Sequence, residues 1–215
     1  MKIINREFTC GCCEKKIISK QIMSYRVVNP QLDGKSTGIN IPTGLIECPY
    51  CHYVNTKIEK KVTDSEKAII ESKDYQDLMS GEDSSAIYKA ALLLKKDSSV
   101  RITILRRYVW HLSDTYGIHA EETKTVRSQY IKELEDYIQK EPNLEDIILY
   151  IDALRLNEES DKLSNYLEQI SKDLKELKKK YDTIEYKRFT LFINFESKLL
   201  NQKDYEIHYK SEIKI

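Results

Sequence analysis

No net charge, no long hydrophobic run and no catalytic constellation mark this 215-residue chain. Thirty-five Lys and Arg balance thirty-five Asp and Glu, which argues against a protein coated with cations for nucleic acid, where affinity rests on clustered positive charge. Its longest apolar stretches, residues 90–94 and 147–151, fall far short of the roughly 18 residues of a membrane-spanning helix, so no membrane partner is expected. No phosphate loop, activated nucleophile or acid/base pair stands out. His111 and Asp114 lie one helical turn apart, but no serine or cysteine nucleophile accompanies them; they read as a surface contact, and no residue is assigned a catalytic role. The opening Met-Lys-Ile-Ile-Asn-Arg-Glu has no apolar core of a secretion leader, which points to the reducing cytosol.

Glycine (6) and proline (4) are scarce, and residues 1–62 hold Gly11, Gly34, Gly38, Gly44, Pro30, Pro42 and Pro49 among few large apolar side chains. Such a segment can hardly fold on its own core. It holds all five cysteines of the chain, however: Cys10-Gly-Cys-Cys13 and Cys48-Pro-Tyr-Cys51. A C-x-x-C knuckle turns tightly enough to aim two sulfurs at one ion, and two knuckles give four ligands. Four thiolates at about 2.3 Å form a closed structural Zn²⁺ site, whose binding free energy, on the order of 10 kcal/mol, is also folding energy. Spacing selects Cys10, Cys13, Cys48 and Cys51 as the metal ligands. Cys12 is left as a buried apolar residue or a weaker substitute ligand, and His52, next to Cys51, is expected to point away from the site. Two competing uses of the pairs, disulfides and a thioredoxin-like redox centre, need an oxidising compartment and a βαβ setting respectively. The sequence favours neither.

Around the knuckles, ten Lys or Arg face five Asp or Glu within residues 1–62. A zinc with four thiolates carries about −2, so part of this excess neutralises the site and the rest forms a modest basic surface. Residues 16–28 predict one or two short strands and residues 43–47 a third, leading into the second knuckle. Asn29-Pro30 and Asp33-Gly34 supply turn chemistry between them. This is the layout of a small β zinc ribbon.

From Thr63 the apolar period lengthens from two to 3.6 residues. Thr63-Asp-Ser-Glu66 has the form of a capping box and opens a helix to about Met79. Ile87, Ala90, Ala91 and Leu94 share one face of a second helix. Ile102, Leu105, Val109, Leu112 and Tyr116 stripe a third, which Gly117 ends; Trp110 lies off that stripe, one turn from Arg106 and in reach of a cation–π contact. A fourth spans about residues 120–140. Asn143 caps a fifth through Leu156 and Ser160 a sixth carrying Leu163, Tyr166, Leu167, Ile170, Leu174 and Leu177. A seventh covers about residues 183–199. Successive amphipathic helices joined by short polar turns imply antiparallel neighbours, and residues 144–170 look like a degenerate tetratricopeptide hairpin.

Phe8-Thr-Cys10-Gly-Cys-Cys13, the approach from Gly38-Ile-Asn40 to Leu45-Ile-Glu-Cys48-Pro-Tyr-Cys51-His-Tyr53, and the helices around residues 84–94 and 108–116 together resemble a bacterial family of unknown function. That family joins an N-terminal zinc ribbon to tetratricopeptide-like helices. The resemblance covers most of residues 8–170 and implies zinc and a helical scaffold, with no reaction attached. Gly11 and His52 stand where the family usually has proline and glycine.

The last residues alternate again: Tyr205, Ile207, Tyr209, Ile213 and Ile215 against Glu206, His208, Lys210, Glu212 and Lys214, which predicts a strand returning to the ribbon sheet or pairing with another subunit. The expectation is therefore an α+β, mainly α fold with three parts: a zinc-ribbon module at 1–62, a helical array of about seven helices at 63–200, and a tail at 201–215. The expected function is a noncatalytic, cytoplasmic zinc protein whose helices present a surface to a protein partner. The alternative is a nucleic-acid-binding ribbon using Arg6, Lys15, Lys16, Lys20, Arg26, Lys57, Lys60 and Lys61.

Overall fold

A computed structural model describes residues 2–24, 26–37 and 44–213. Residues 38–43 of the expected approach to the second knuckle, Lys214 and Ile215 of the expected strand, and the side chain of Leu177 lie outside the described residues. The fold is α+β and mainly α: strands occur at the N-terminal end and helices follow.

Strands β1 (Lys2–Thr9) and β2 (Lys16–Ser24) form an antiparallel hairpin. Phe8 lies opposite Ile17, and these two are the buried pair at its base. The rest of β1 and β2 is exposed or half-exposed on both faces, which is why β1 shows no two-residue apolar alternation and is not foreseen from sequence. A second small sheet pairs β3 (Ile46–Glu47) with β4 (Val54–Asn55).

Thr63 then caps α1 (Asp64–Ile70) through the expected capping box: its Oγ1 accepts from the Glu66 amide, and the Glu66 carboxylate accepts from the Thr63 amide. The helix foreseen up to Met79 is two helices. Ser72 takes an extended backbone, its Oγ accepts from the Tyr75 amide, and α2 (Lys73–Ser80) starts afresh. Helix α3 (Ala86–Leu94) buries Ala86, Tyr88, Ala90, Ala91 and Leu94, so Tyr88 takes the inward place expected for Ile87. Asp97 caps α4 (Ser98–Tyr116), its Oδ1 accepting from the Val100 amide. Gly117 ends α4 at φ +99°, a conformation open to glycine at little cost.

Helices α5 (Glu121–Ile138), α6 (Leu144–Leu156), α7 (Ser160–Lys180) and α8 (Thr183–Gln202) follow, each packed against the next, with α8 returning onto α6. Asn143 caps α6 as expected, its Oδ1 accepting from the Asp146 amide. Eight α-helices thus stand among the described residues against about seven expected. Helix α6 is central to this group, with Ile147 and every residue from Leu149 to Arg155 buried.

The tail does not continue the alternation of its sequence. It makes one antiparallel bridge, Tyr209 with Gln31 in the loop between the knuckles, and then a 3-10 turn at Lys210–Glu212. Pro30 and His208 carbonyls accept the Lys210 and Leu32 amides. The partner is a turn-rich loop with little extended backbone to pair with, so a full ladder has nothing to run along.

By contact density the chain forms two compact units: Met1–Arg26 with Asn40–His111, and Val27–Ile39 with Leu112–Ile215. The change from strand to helix period at Thr63 falls inside the first.

Candidate metal centre

The two C-x-x-C knuckles are built alike. In the first, the Glu14 amide donates to the Cys10 carbonyl and the Cys10 amide to the Lys15 carbonyl; in the second, His52 donates to Cys48 and Cys48 to Tyr53, all four bonds at 2.9 Å. The residue after each second cysteine has a left-handed backbone, Glu14 at φ +59° and His52 at φ +60°. That conformation turns the chain sharply enough to aim both thiols of a knuckle the same way.

The four thiols converge. Cys10 Sγ lies 3.7 Å from Cys51 Sγ, Cys13 Sγ lies 3.6 Å from Cys48 Sγ, and all four sulfurs are within 4.8 Å of one another. A tetrahedron with metal–sulfur bonds of about 2.3 Å has sulfur–sulfur edges of roughly 3.8 Å, so the donor set fits one ion at its centre. A disulfide needs about 2.05 Å, and the cysteines are not bridged. Among the described residues this is the one cluster of His, Cys, Asp or Glu arranged to bind a metal ion. Cys10 and Cys48 are buried, Cys13 and Cys51 half-buried. Without a cation, burial pushes the Cys10 thiol up to about 11 and that of Cys51 higher still. Burial also acts on Cys13, but hydrogen bonds from the Lys15 amide and the neighbouring thiols outweigh it and hold that thiol below its ordinary value. A cation among the sulfurs removes the cost of ionising the buried ones.

The remaining two candidates stand aside. Cys12 contributes its amide, which donates to Cys10 Sγ at 3.4 Å. His52 is turned to Glu47, with Nδ1 2.7 Å from Oε1. The glycine in the first knuckle has a steric reason: a Cβ on Gly11 would lie 2.0 Å from the Lys60 carbonyl oxygen, because the Gly11 amide donates to the Ile58 carbonyl and the turn that follows β4 packs against it.

A supporting layer around the thiols is not evident from sequence. Tyr53, fully buried, donates to the Lys60 carbonyl and accepts from the buried Asn55 amide nitrogen; Asn55 Oδ1 accepts from the Lys57 amide. Helix α2 reaches the second knuckle from outside it, Tyr75 Oη donating to the His52 carbonyl and Gln76 Nε2 to that of Cys51. The signals were weak: an Asn next to a Thr reads as a turn, and a buried tyrosine reads as core.

Other residues singled out from sequence are engaged elsewhere. Arg106 stacks over the Trp110 ring at 5.4 Å. His111 Nε2 lies 3.1 Å from Ser84 Oγ, and Asp114 pairs with Lys35 Nζ at 2.5 Å; each thus has its own partner. Of the basic residues, Arg6 lies over the Phe8 ring, Lys15 over Tyr50 at 4.6 Å, and Lys16 pairs with Glu7.

The fold and the thiol cluster define a mainly helical α+β protein with four cysteines placed to bind a metal ion. No protein-family model, curated protein or solved structure matches the chain. The likeness to the ribbon-and-helix family therefore rests on the two knuckles and the succession of helices alone.

Proposed function

We propose that the chain is a noncatalytic zinc protein, in which one Zn²⁺ bound by Cys10, Cys13, Cys48 and Cys51 holds the ribbon together and the helices serve as a scaffold for a protein partner. The observation that carries this reading is the closed donor set: four sulfurs around one centre leave no position for water or substrate. Zinc suits the set because four soft thiolates in tetrahedral array select zinc or iron over oxygen-loving cations. The cytosol, where thiols stay reduced, suits it also. Recognition then falls to surfaces outside the metal's ligand shell. Metal analysis of purified protein should give one zinc per chain, and cobalt substitution should give the visible spectrum of a tetrahedral tetrathiolate. An iron chromophore would replace zinc in this reading, and a half-stoichiometric metal would oppose a closed site within one chain.

A second reading, nucleic-acid binding, draws on a specific feature. The β1–β2 hairpin carries Lys2, Arg6, Lys16 and Lys20, and Tyr50, 57% exposed, sits beside Lys15. Aromatic faces with nearby cations are what single strands stack on. Binding to single-stranded DNA or RNA that weakens steeply between 50 and 200 mM salt would promote this reading over the first; absence of binding at low salt dismisses it.

A further inference from the structure

Within the second unit four charged side chains are almost wholly shut off from water, Arg155 and Glu196 at 0% exposure, Arg127 at 1% and Asp152 at 3%, and three of them meet. Arg155 donates from Nε to Glu196 Oε2 at 2.9 Å and from Nη2 to Asp152 Oδ1 at 2.6 Å. Its remaining terminal nitrogen, Nη1, donates to the main-chain carbonyls of Glu206 at 2.6 Å and Asp204 at 3.4 Å. One buried cation thus joins α6, α8 and the tail. One guanidinium faces two carboxylates, and Glu196 Oε1 has no hydrogen-bond partner. A buried ionised carboxylate oxygen without a donor costs several kcal/mol, whereas a protonated one is neutral.

The tail that lies over Arg155 is a separate short segment fastened by identifiable bonds. Tyr205 Oη is 2.8 Å from Ser160 Oγ, Glu206 Oε1 is 3.3 Å from His119 Nε2, the His208 carbonyl accepts from the Leu32 amide, and Ser211 Oγ donates to Asn29 Oδ1. Most of these fastenings lie in partly exposed positions.

We propose that residues 204–212 form a strap whose closure is coupled to a proton on Glu196: closed, the strap keeps Glu196 dry and protonated; when Glu196 ionises, the strap lifts and admits water to the carboxylate. The proton leaves to solvent, and Arg155 keeps Asp152 as its partner throughout. Burial is the main force raising Glu196 above the carboxylate range, to about 8; Arg155 opposes it, and the charges of Asp152 and Asp204 add to it. The charged groups around the site are Asp152 and Arg155 on α6, Arg127 on α5, Asp33 in the inter-knuckle loop and Asp204 in the strap. Arg127 is committed to the Leu156 and Ile118 carbonyls. Two imidazoles also touch the strap: His119 between Glu158 and Glu206, and His208 between Asp204 and Glu212.

The sign of the coupling follows from the proton count. The closed form holds a proton that the open, hydrated form releases at an ordinary carboxylate value, so closure weakens about tenfold per pH unit between the two values. Hydrogen exchange on the full chain reads this at the Leu32 and Lys210 amides, which are bonded across the strap. Their protection factors should fall about tenfold per unit from pH 5 to 7.5, while those of core amides of the first unit, such as Leu105 in α4, hold steady. Glu196→Gln should flatten the slope. A wild-type protection independent of pH overturns the proposal. So does a slope that survives in Glu196→Gln and vanishes in His119→Gln or His208→Gln, since the imidazoles would then drive the motion. If Glu196→Gln does not fold, the carboxyl ¹³C titration of unsubstituted protein decides: a Glu196 midpoint below 5 refutes the coupling, and one well above the carboxylate range upholds it.

Discussion

In the first unit four thiols converge in a small ribbon of two-stranded sheets, whereas in the second a guanidinium and two carboxyl groups are enclosed by helices that supply an apolar core. Both are buried polar clusters, yet they differ in what completes them. The thiol cluster fits a cation the chain does not itself provide, and burial raises Cys10 and Cys51 until one does. The charge cluster is nearly self-sufficient: Arg155 satisfies both carboxylates and two tail carbonyls, leaving only Glu196 Oε1. A small ribbon borrows its folding energy from a ligand; a helix array has enough apolar burial to tolerate an ion network, which seldom adds net stability but penalises its own disruption.

The largest expected effect breaks the comparison on the side of the thiols. Cys48→Ser, or strong chelation of the wild type, should abolish stoichiometric metal and unfold residues 2–24 and 44–62, because the site's contribution is on the order of 10 kcal/mol. NMR signals from residues 112–213 should persist. Their collapse with the ribbon would mean that the two units do not differ in metal dependence at all.

The matching break in the second unit is Arg155→Met. It leaves the Asp152 carboxylate and the Glu196 carboxyl group buried without their donor and unties the tail, so urea unfolding should show a loss of about 3–5 kcal/mol with metal content unchanged. A loss under about 1 kcal/mol would mean that the cluster is hydrated. The pH dependence should differ in kind too. Burial pushes Asp152 up to about 6 and Glu196 up to about 8, so folded protein holds protons that the unfolded chain releases near the ordinary carboxylate value of about 4. Stability of the second unit is fully present below that value and should decline as pH rises towards 8. Flat stability across this window would oppose the assignment.

These two clusters also differ in how far sequence reveals them. The thiols are legible because ligation imposes a spacing: Cys10 and Cys13 repeat the interval of Cys48 and Cys51, and the knuckle turns repeat with it. Capping is legible for a similar reason, since Thr63 and Asn143 act on amides three residues away. The charge network is not. Asp152, Arg155 and Glu196 meet only after α6, α8 and the tail pack, and a charged residue in a helical pattern reads as solvent-facing. Arg127 is hidden in the same way, on the buried face of α5 with Tyr130 and Leu134. The tail shows the converse failure, because a two-residue alternation specifies a strand only where a partner strand runs beside it.

A smaller test sharpens the view that backbone approach shapes the ribbon. Gly11→Ala puts a methyl 2.0 Å from the Lys60 carbonyl oxygen, and neither atom belongs to a flexible side chain. The forced shift should destabilise metal-loaded protein by about 1–3 kcal/mol, seen as easier chelation or a lower melting temperature. An unchanged metal affinity would show that the turn at residues 58–60 yields without cost. Thr63→Ala, which removes only the cap of α1, should cost about 1 kcal/mol.

The smallest expected effect is the most discriminating for the thiols. Cys12 lies between two ligands in sequence; its amide reaches Cys10 Sγ, and any residue but proline retains that amide. Burial raises the Cys12 thiol and a hydrogen bond with Cys51 opposes this, an interaction that a serine hydroxyl can also make. Cys12→Ser should therefore keep one metal per chain and alter stability by no more than about 0.5 kcal/mol, while Cys13→Ser, one residue away, loses the fourth sulfur. If Cys12→Ser instead lost metal, or Cys13→Ser retained it in full, Cys12 would be a working ligand, and the cluster would be a site that exchanges sulfurs rather than a closed cage.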